Sequence, residues 1–258
     1  MELLILVAAS FWASIGYIAE KQPDAFVLEE SDTFFGAFKA VLEAVIDTLQ
    51  SIKSSSGQSV YWVGCAMMNN LDHGLPSKRK RCYIIGHKVR LQKLKFVWPA
   101  PLPLAIVDDF LDSHLPPALP TADTALNNLD RLLRITQALG HDPSTEPFFD
   151  VWQSERFGDN WQVGFCPTLT RARAGAGGFF ISNRGRMMST AEMMRMQGIP
   201  PARIAWQGLC TKQKRRVTQR QVNLMVGNSM AAPVLGRLMY GLLRTTGAIP
   251  KDTQDPWA

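Results

Sequence analysis

A chain of 258 residues has room for one large domain or two modest ones. Its 46% apolar share excludes an intrinsically disordered protein, and a net charge of +6 points only weakly to a polyanionic partner. The four cysteines, Cys65, Cys82, Cys166 and Cys210, form no Cys-x-x-Cys pair and have no histidine at ligand spacing. No metal site and no disulfide framework is read, and a reducing compartment is favoured.

In chain order, MELLILVAASFWASIGYIA resembles a secretory leader in hydropathy, but Glu2 and the lack of Lys or Arg before the apolar run give it the wrong charge. As a membrane span it is short and broken by Ser10, Ser14 and Gly16. It reads as a buried helix, with a cleaved signal as the alternative. DAFVLE (24–29) reads as a buried strand, and Phe35–Ile52 has helical periodicity. Residues 60–67 and 82–86 read as strands, and the alternation of VRLQKLKFVW (89–98) predicts further β structure. The proline-rich segment 99–120 reads as a boundary, with a helical turn near Val107–Leu111. Ala125–Leu139 and Thr190–Gln197 are predicted helices, the second capped by Ser189 or Thr190 with Glu192 in its first turn. A further helix is predicted to begin near Val217. In VGNSMAAPV (226–234), Gly227 and Asn228 predict a tight corner, Ser229 a cap, and Pro233 the first turn of an apolar helix.

Charge is unevenly distributed. Nine Lys or Arg and no acid lie between Arg195 and Arg244, and eight basic residues and no acid between Lys78 and Lys95. Such tracts are commonly solvated faces, but two of them also suit phosphate contacts.

Four segments combine in order: FVLEES (26–31), GLPSKRKRCYIIG (74–86), RMMSTAEMMRMQGIP (186–200) and VGNSMAAPV. Together they resemble the sixth, eighth, ninth and tenth conserved blocks of the DNA (cytosine-5) methyltransferases, with a variable insert between the second and third segments. The resemblance spans nearly the whole chain but only the C-terminal part of the family's enzyme. It implies an α/β fold: part of a Rossmann-like, S-adenosylmethionine-dependent methyltransferase sheet with an inserted mixed target recognition region. The implied division is 1–98 catalytic, 99–185 recognition, and 186–258 helices returning to the catalytic domain.

In this family a cysteine thiolate adds to C6 of a cytosine flipped out of the duplex, a glutamate meets ring N3, and C5 takes the methyl of S-adenosylmethionine. The resemblance implies Glu29 as that glutamate, with Arg79 and Arg81 holding its carboxylate and the flipped nucleotide. Gly227, Asn228 and Ser229 would wall the cofactor pocket. Ser77, Thr168, Thr170, Arg171 and Arg173 would meet DNA, at phosphates or base edges. Without the other blocks, Glu29 reads as a surface carboxylate at a strand end, Arg79 and Arg81 as a basic loop, and Glu192 with Arg195 as a helical i,i+3 pair of structural role.

The departures shape the expectation. No Phe-x-Gly-x-Gly loop is present, no cysteine follows a proline, and none lies upstream of Glu29. Glu30 and Ser31 stand where Asn and Val are usual, Ser77 where Gln is usual, and Ile199 and Met230 in place of Phe and Val. The expected protein is therefore part of a DNA (cytosine-5) methyltransferase, inactive alone for want of a nucleophile and with an incomplete cofactor site. Its expected partners are DNA and a second chain carrying the first half of the catalytic domain. It is expected to be nuclear in a eukaryote and otherwise cytoplasmic, neither secreted nor membrane-bound. The alternatives are a non-catalytic nucleic-acid-binding remnant and a tRNA-methylating relative.

Overall fold

The computed structural model describes residues 2–142, 145, 147–205 and 216–257. Contacts divide the chain into two units. The first comprises Met1–Asn69, Lys80–Pro101 and Val234–Ala258, and the second Asn70–Arg79 and Leu102–Pro233. Residues 102–185 and 186–233 thus cluster together, and the division falls two residues into the last helix.

The first unit begins with α1 (Glu2–Lys21), β1 (Ala25–Ser31), α2 (Lys39–Ser51), β2 (Tyr61–Asn69) and β3 (Lys80–Lys88). The sheet order is β1-β3-β2, with β3 antiparallel to both neighbours. Its apolar run, buried from Cys82 through His87, explains why β3 is central: a strand covered on both faces needs no polar alternation. Ile15 and Ile18 of α1 and Leu42, Val45 and Leu49 of α2 pack with Phe26, Tyr61, Val63 and Ile84 into one core. Each such side chain, fully buried, contributes about 1.5–3 kcal/mol.

Two expected elements differ. The helix expected from Phe35 starts at Lys39, because Asp32–Phe35 closes a separate 3-10 turn. The β structure expected over 89–98 is absent: Val89–Leu91 is a 3-10 turn, and the Lys93 and Leu94 N–H groups donate to the Thr245 carbonyl rather than to a strand. No helix among the described residues is long and apolar enough to cross a membrane.

The second unit contains α3 (Asp123–Ala138), β4 (Pro147–Phe149), β5 (Trp161–Val163), α4 (Arg171–Gly175), β6 (Phe180–Ile181), β7 (Arg186–Met187), α5 (Thr190–Arg195) and α6 (Gln219–Gly227). Its sheet, β5-β4-β6-β7, is antiparallel and made of two- and three-residue strands. Strands this short leave little periodicity to read. Ser189 caps α5 in a capping box with Glu192. Glu192, 0% exposed, does not pair with Arg195. It takes two bonds from Arg186 (2.7 and 2.8 Å) and one from the Asp112 N–H, while Arg195 pairs with Asp112. Bonding to Glu192 raises the Arg186 pKa.

The last helix, α7 (Ala232–Thr246), carries Pro233 in its first turn. In the first unit, Arg237, Tyr240 and Arg244 lie at helical spacing along α7. They bind Asp255, the Thr253 carbonyl and the Lys251 carbonyl, tying down the C-terminal tail.

Candidate functional site

β1 and β3 place the expected catalytic glutamate. The register sets Glu29 opposite Tyr83 and Ser31 opposite Arg81. Strand parity therefore puts Glu29, Tyr83 and Arg81 on one face of the sheet, and Glu30 and Cys82 on the other. The Tyr83 hydroxyl donates to Glu29 Oε1 at 3.2 Å, from a ring only 1% exposed. Arg81 is half-buried, and its Nη1 donates to the Lys80 carbonyl. Burial raises the Glu30 pKa, the neighbouring Glu29 adds to the rise, and Arg81 opposes it.

Arg79 belongs to the second unit and is 5% exposed. Its guanidinium donates to three main-chain carbonyls: Leu169 at 3.0 Å, Gly227 at 3.3 Å and Ser229 at 3.2 Å. It thereby ties the loop before α4 to the turn after α6. Gly227 is helical, and its need for glycine is packing. An added Cβ would collide with the Thr170 carbonyl and lie 2.7 Å from the Ala174 Cβ. Asn228 is an αR C-cap, and the Ser229 hydroxyl donates back to the Val226 carbonyl instead of capping α7. Ser77 is 2% exposed; its hydroxyl donates to the Met196 carbonyl and accepts from Asn70, so its partners are internal.

Three of the four remaining expected DNA-contact residues line a cavity of about 510 Å³ within the second unit. Thr168, Thr170 and Arg173 line it with Lys78, Asn160 and Gln162. Thr170 caps α4 by accepting from the Arg173 N–H, and the Thr168 hydroxyl donates to the Lys78 carbonyl. Arg171, in the first turn of α4, is exposed. Asp150 also lines the cavity at 1% exposure and binds Arg173 Nε at 2.6 Å.

The sequence pattern singles out neither Tyr83 nor Asp150. Tyr83 carried a signal, since pairing FVLE with CYII sets a tyrosine beside Glu29 in one register. Asp150 carried none, because its partner lies in a separate short element.

Burial pushes Cys82 up to about 12 and also raises Cys65 and Cys166. Cys210 lies outside the described residues. No group of three or more potential metal ligands occurs among the described residues.

A model of the C-5 cytosine-specific DNA methylases matches residues 9–244. Type II methyltransferase M.NgoBI of Neisseria gonorrhoeae is 28% identical over 83% of this chain and 59% of its own length. Type II methyltransferase M.HaeII of Haemophilus aegyptius is 26% identical over 87% of the chain and 62% of its own. The chain thus spans about three fifths of these relatives. The solved structure of a Spodoptera frugiperda DNMT2 mutant superposes with a TM-score of 0.57 at 14% identity, covering 90% of this chain and 71% of that one. That likeness extends to the methyltransferase fold. The chain belongs to the C-5 cytosine-specific DNA methylase family.

Proposed function

We propose that this chain forms the base-engaging and DNA-recognising part of a DNA (cytosine-5) methyltransferase. The observation that carries the reading is Glu29, held by the Tyr83 hydroxyl on the sheet face that it shares with Arg81. A carboxyl group steadied in this way can hydrogen-bond N3 of an everted cytosine, and the Arg81 guanidinium supplies a cation on the same face. Arg79 acts by clamping the loops around Leu169 and Gly227, not by touching the base.

S-adenosylmethionine would supply the methyl group. The turn expected to wall its pocket fits it poorly as it stands. The Gly227 and Ser229 carbonyls already accept from Arg79, and the open face of Gly227 abuts Thr170. Within this turn only the exposed Asn228 is left as a contact. On this reading the chain alone is inactive, because none of its four cysteines follows a proline as the family's nucleophile does.

The test combines binding with turnover. The chain is expected to bind duplex DNA in preference to tRNA, with affinity falling as salt rises. It is expected to transfer no tritiated methyl from S-adenosylmethionine to unmethylated DNA. Failure to bind duplex DNA, or a preference for tRNA, refutes the DNA reading. Turnover by the chain alone refutes its inactivity.

A further inference from the structure

The cavity beside α4 is unlike a phosphate site. Its guanidinium, Arg173, is 26% exposed and is matched by Asp150, a carboxylate 1% exposed at 2.6 Å. A phosphate brought to Arg173 would also meet this buried anion, and the pair is nearly neutral as a unit. A neutral, hydrogen-bonding edge meets no such penalty.

The other polar groups suit such an edge. Asn160, Gln162, Thr168 and Thr170 line the same cavity, and these side-chain types read base edges in a groove. Asp150 also organises the wall: it accepts from the Trp152 N–H at 3.2 Å and from the Asn160 amide at 3.1 Å. The Arg173 main chain is fixed too, its N–H donating to Thr170 Oγ1 and its carbonyl accepting from the Gly178 N–H. With Nε spent on Asp150, the planar guanidinium of Arg173 is oriented and presents its two terminal nitrogens as a fork. That plane matches the paired O6 and N7 acceptors of guanine.

We propose that Arg173, held in plane by Asp150, reads a guanine in the major groove of the target duplex. Arg173 is then a specificity-determining residue and Asp150 a positioning residue behind it. The inference rests on the DNA reading above and adds one base of its recognition sequence.

The test is enrichment of bound duplexes from a randomised DNA pool by the full chain, followed by affinity measurements on the enriched sequence. Wild type is expected to enrich a fixed guanine and to lose at least about fivefold in affinity when 7-deazaguanine replaces it. Arg173→Lys, which keeps the charge but not the fork, is expected to bind DNA with the guanine preference gone. Asp150→Asn is expected to weaken that preference while Arg173 remains. Lys78→Ala, at the exposed rim, is expected to lower affinity for all sequences alike. Binding with no fixed guanine, or a guanine preference that survives Arg173→Lys, overturns this inference and leaves the DNA reading standing. No binding to duplex DNA overturns both. Circular dichroism of each variant separates unfolding from lost base recognition. Should Asp150→Asn unfold, Arg173→Lys, a change at a partly exposed position, decides the question by itself.

Discussion

Arg79 and Arg81 are separated by one lysine, yet they serve different regions. Arg79 is buried in the second unit, where three carbonyls receive its protons. Arg81 is half-buried at the start of β3 in the first unit, on the sheet face that carries Glu29. On the proposed reading, a shared motif is thus divided between architecture and chemistry. Burial decides which is which: a desolvated guanidinium must spend its donors on fixed partners, whereas a half-buried one can still accept a ligand.

This contrast makes its strongest prediction for groups that are fully enclosed. Glu192→Ala leaves Arg186 buried and unpaired, and should cost about 3–5 kcal/mol in urea denaturation. Arg79→Ala should cost about 2–3 kcal/mol by the same measurement, because three buried carbonyls lose a charged donor. Arg79→Lys should not restore that loss, since an ammonium cannot span the same acceptors. Gly227→Ala should cost about 1–3 kcal/mol through the clash with Thr170 and Ala174. Arg81→Ala, by contrast, should change stability by less than about 0.5 kcal/mol. An Arg81 loss as large as that of Arg79 would erase the division.

A further small effect depends on pH and concerns Glu30. Burial raises its pKa, so the folded state favours the protonated acid. The associated stability is complete below the ordinary carboxylate range and is lost as pH rises through the raised value. Glu30→Gln should therefore stabilise the chain at pH 7 by less than about 1 kcal/mol and leave it unchanged at pH 3. A stabilisation of equal size at both values would show that charge is not the cause.

What the sequence disclosed depended on how far apart the interacting groups lie. β1, α2 and β3 were readable because each carries its own apolar run. The segment after β3 alternated like a strand, but no partner strand exists for it among the described residues, and its N–H groups go to the end of α7. The cap of α5 was readable because Ser189 and Glu192 are three residues apart. The partner of Glu192 was not, since Arg186 lies outside the helix and competes with the closer Arg195. Arg79 could be picked out by motif, but its role could not, because its acceptors lie 90, 148 and 150 residues away. The sequence marks Gly227 as a corner, whereas its backbone is ordinary helix and the absent side chain admits Thr170.

The central claim is that Glu29 engages an everted cytosine, and an unpaired base tests it without needing turnover. Fluorescence anisotropy compares duplexes that carry, at one position, either an unpaired cytosine or an abasic analogue, since an unpaired base lowers the cost of flipping. The account predicts that the chain binds the cytosine duplex about tenfold more tightly, worth about 1.4 kcal/mol, and that Glu29→Ala, which leaves no donor for N3, removes the difference. Equal affinity for the two duplexes, or a preference that persists in Glu29→Ala, would contradict it.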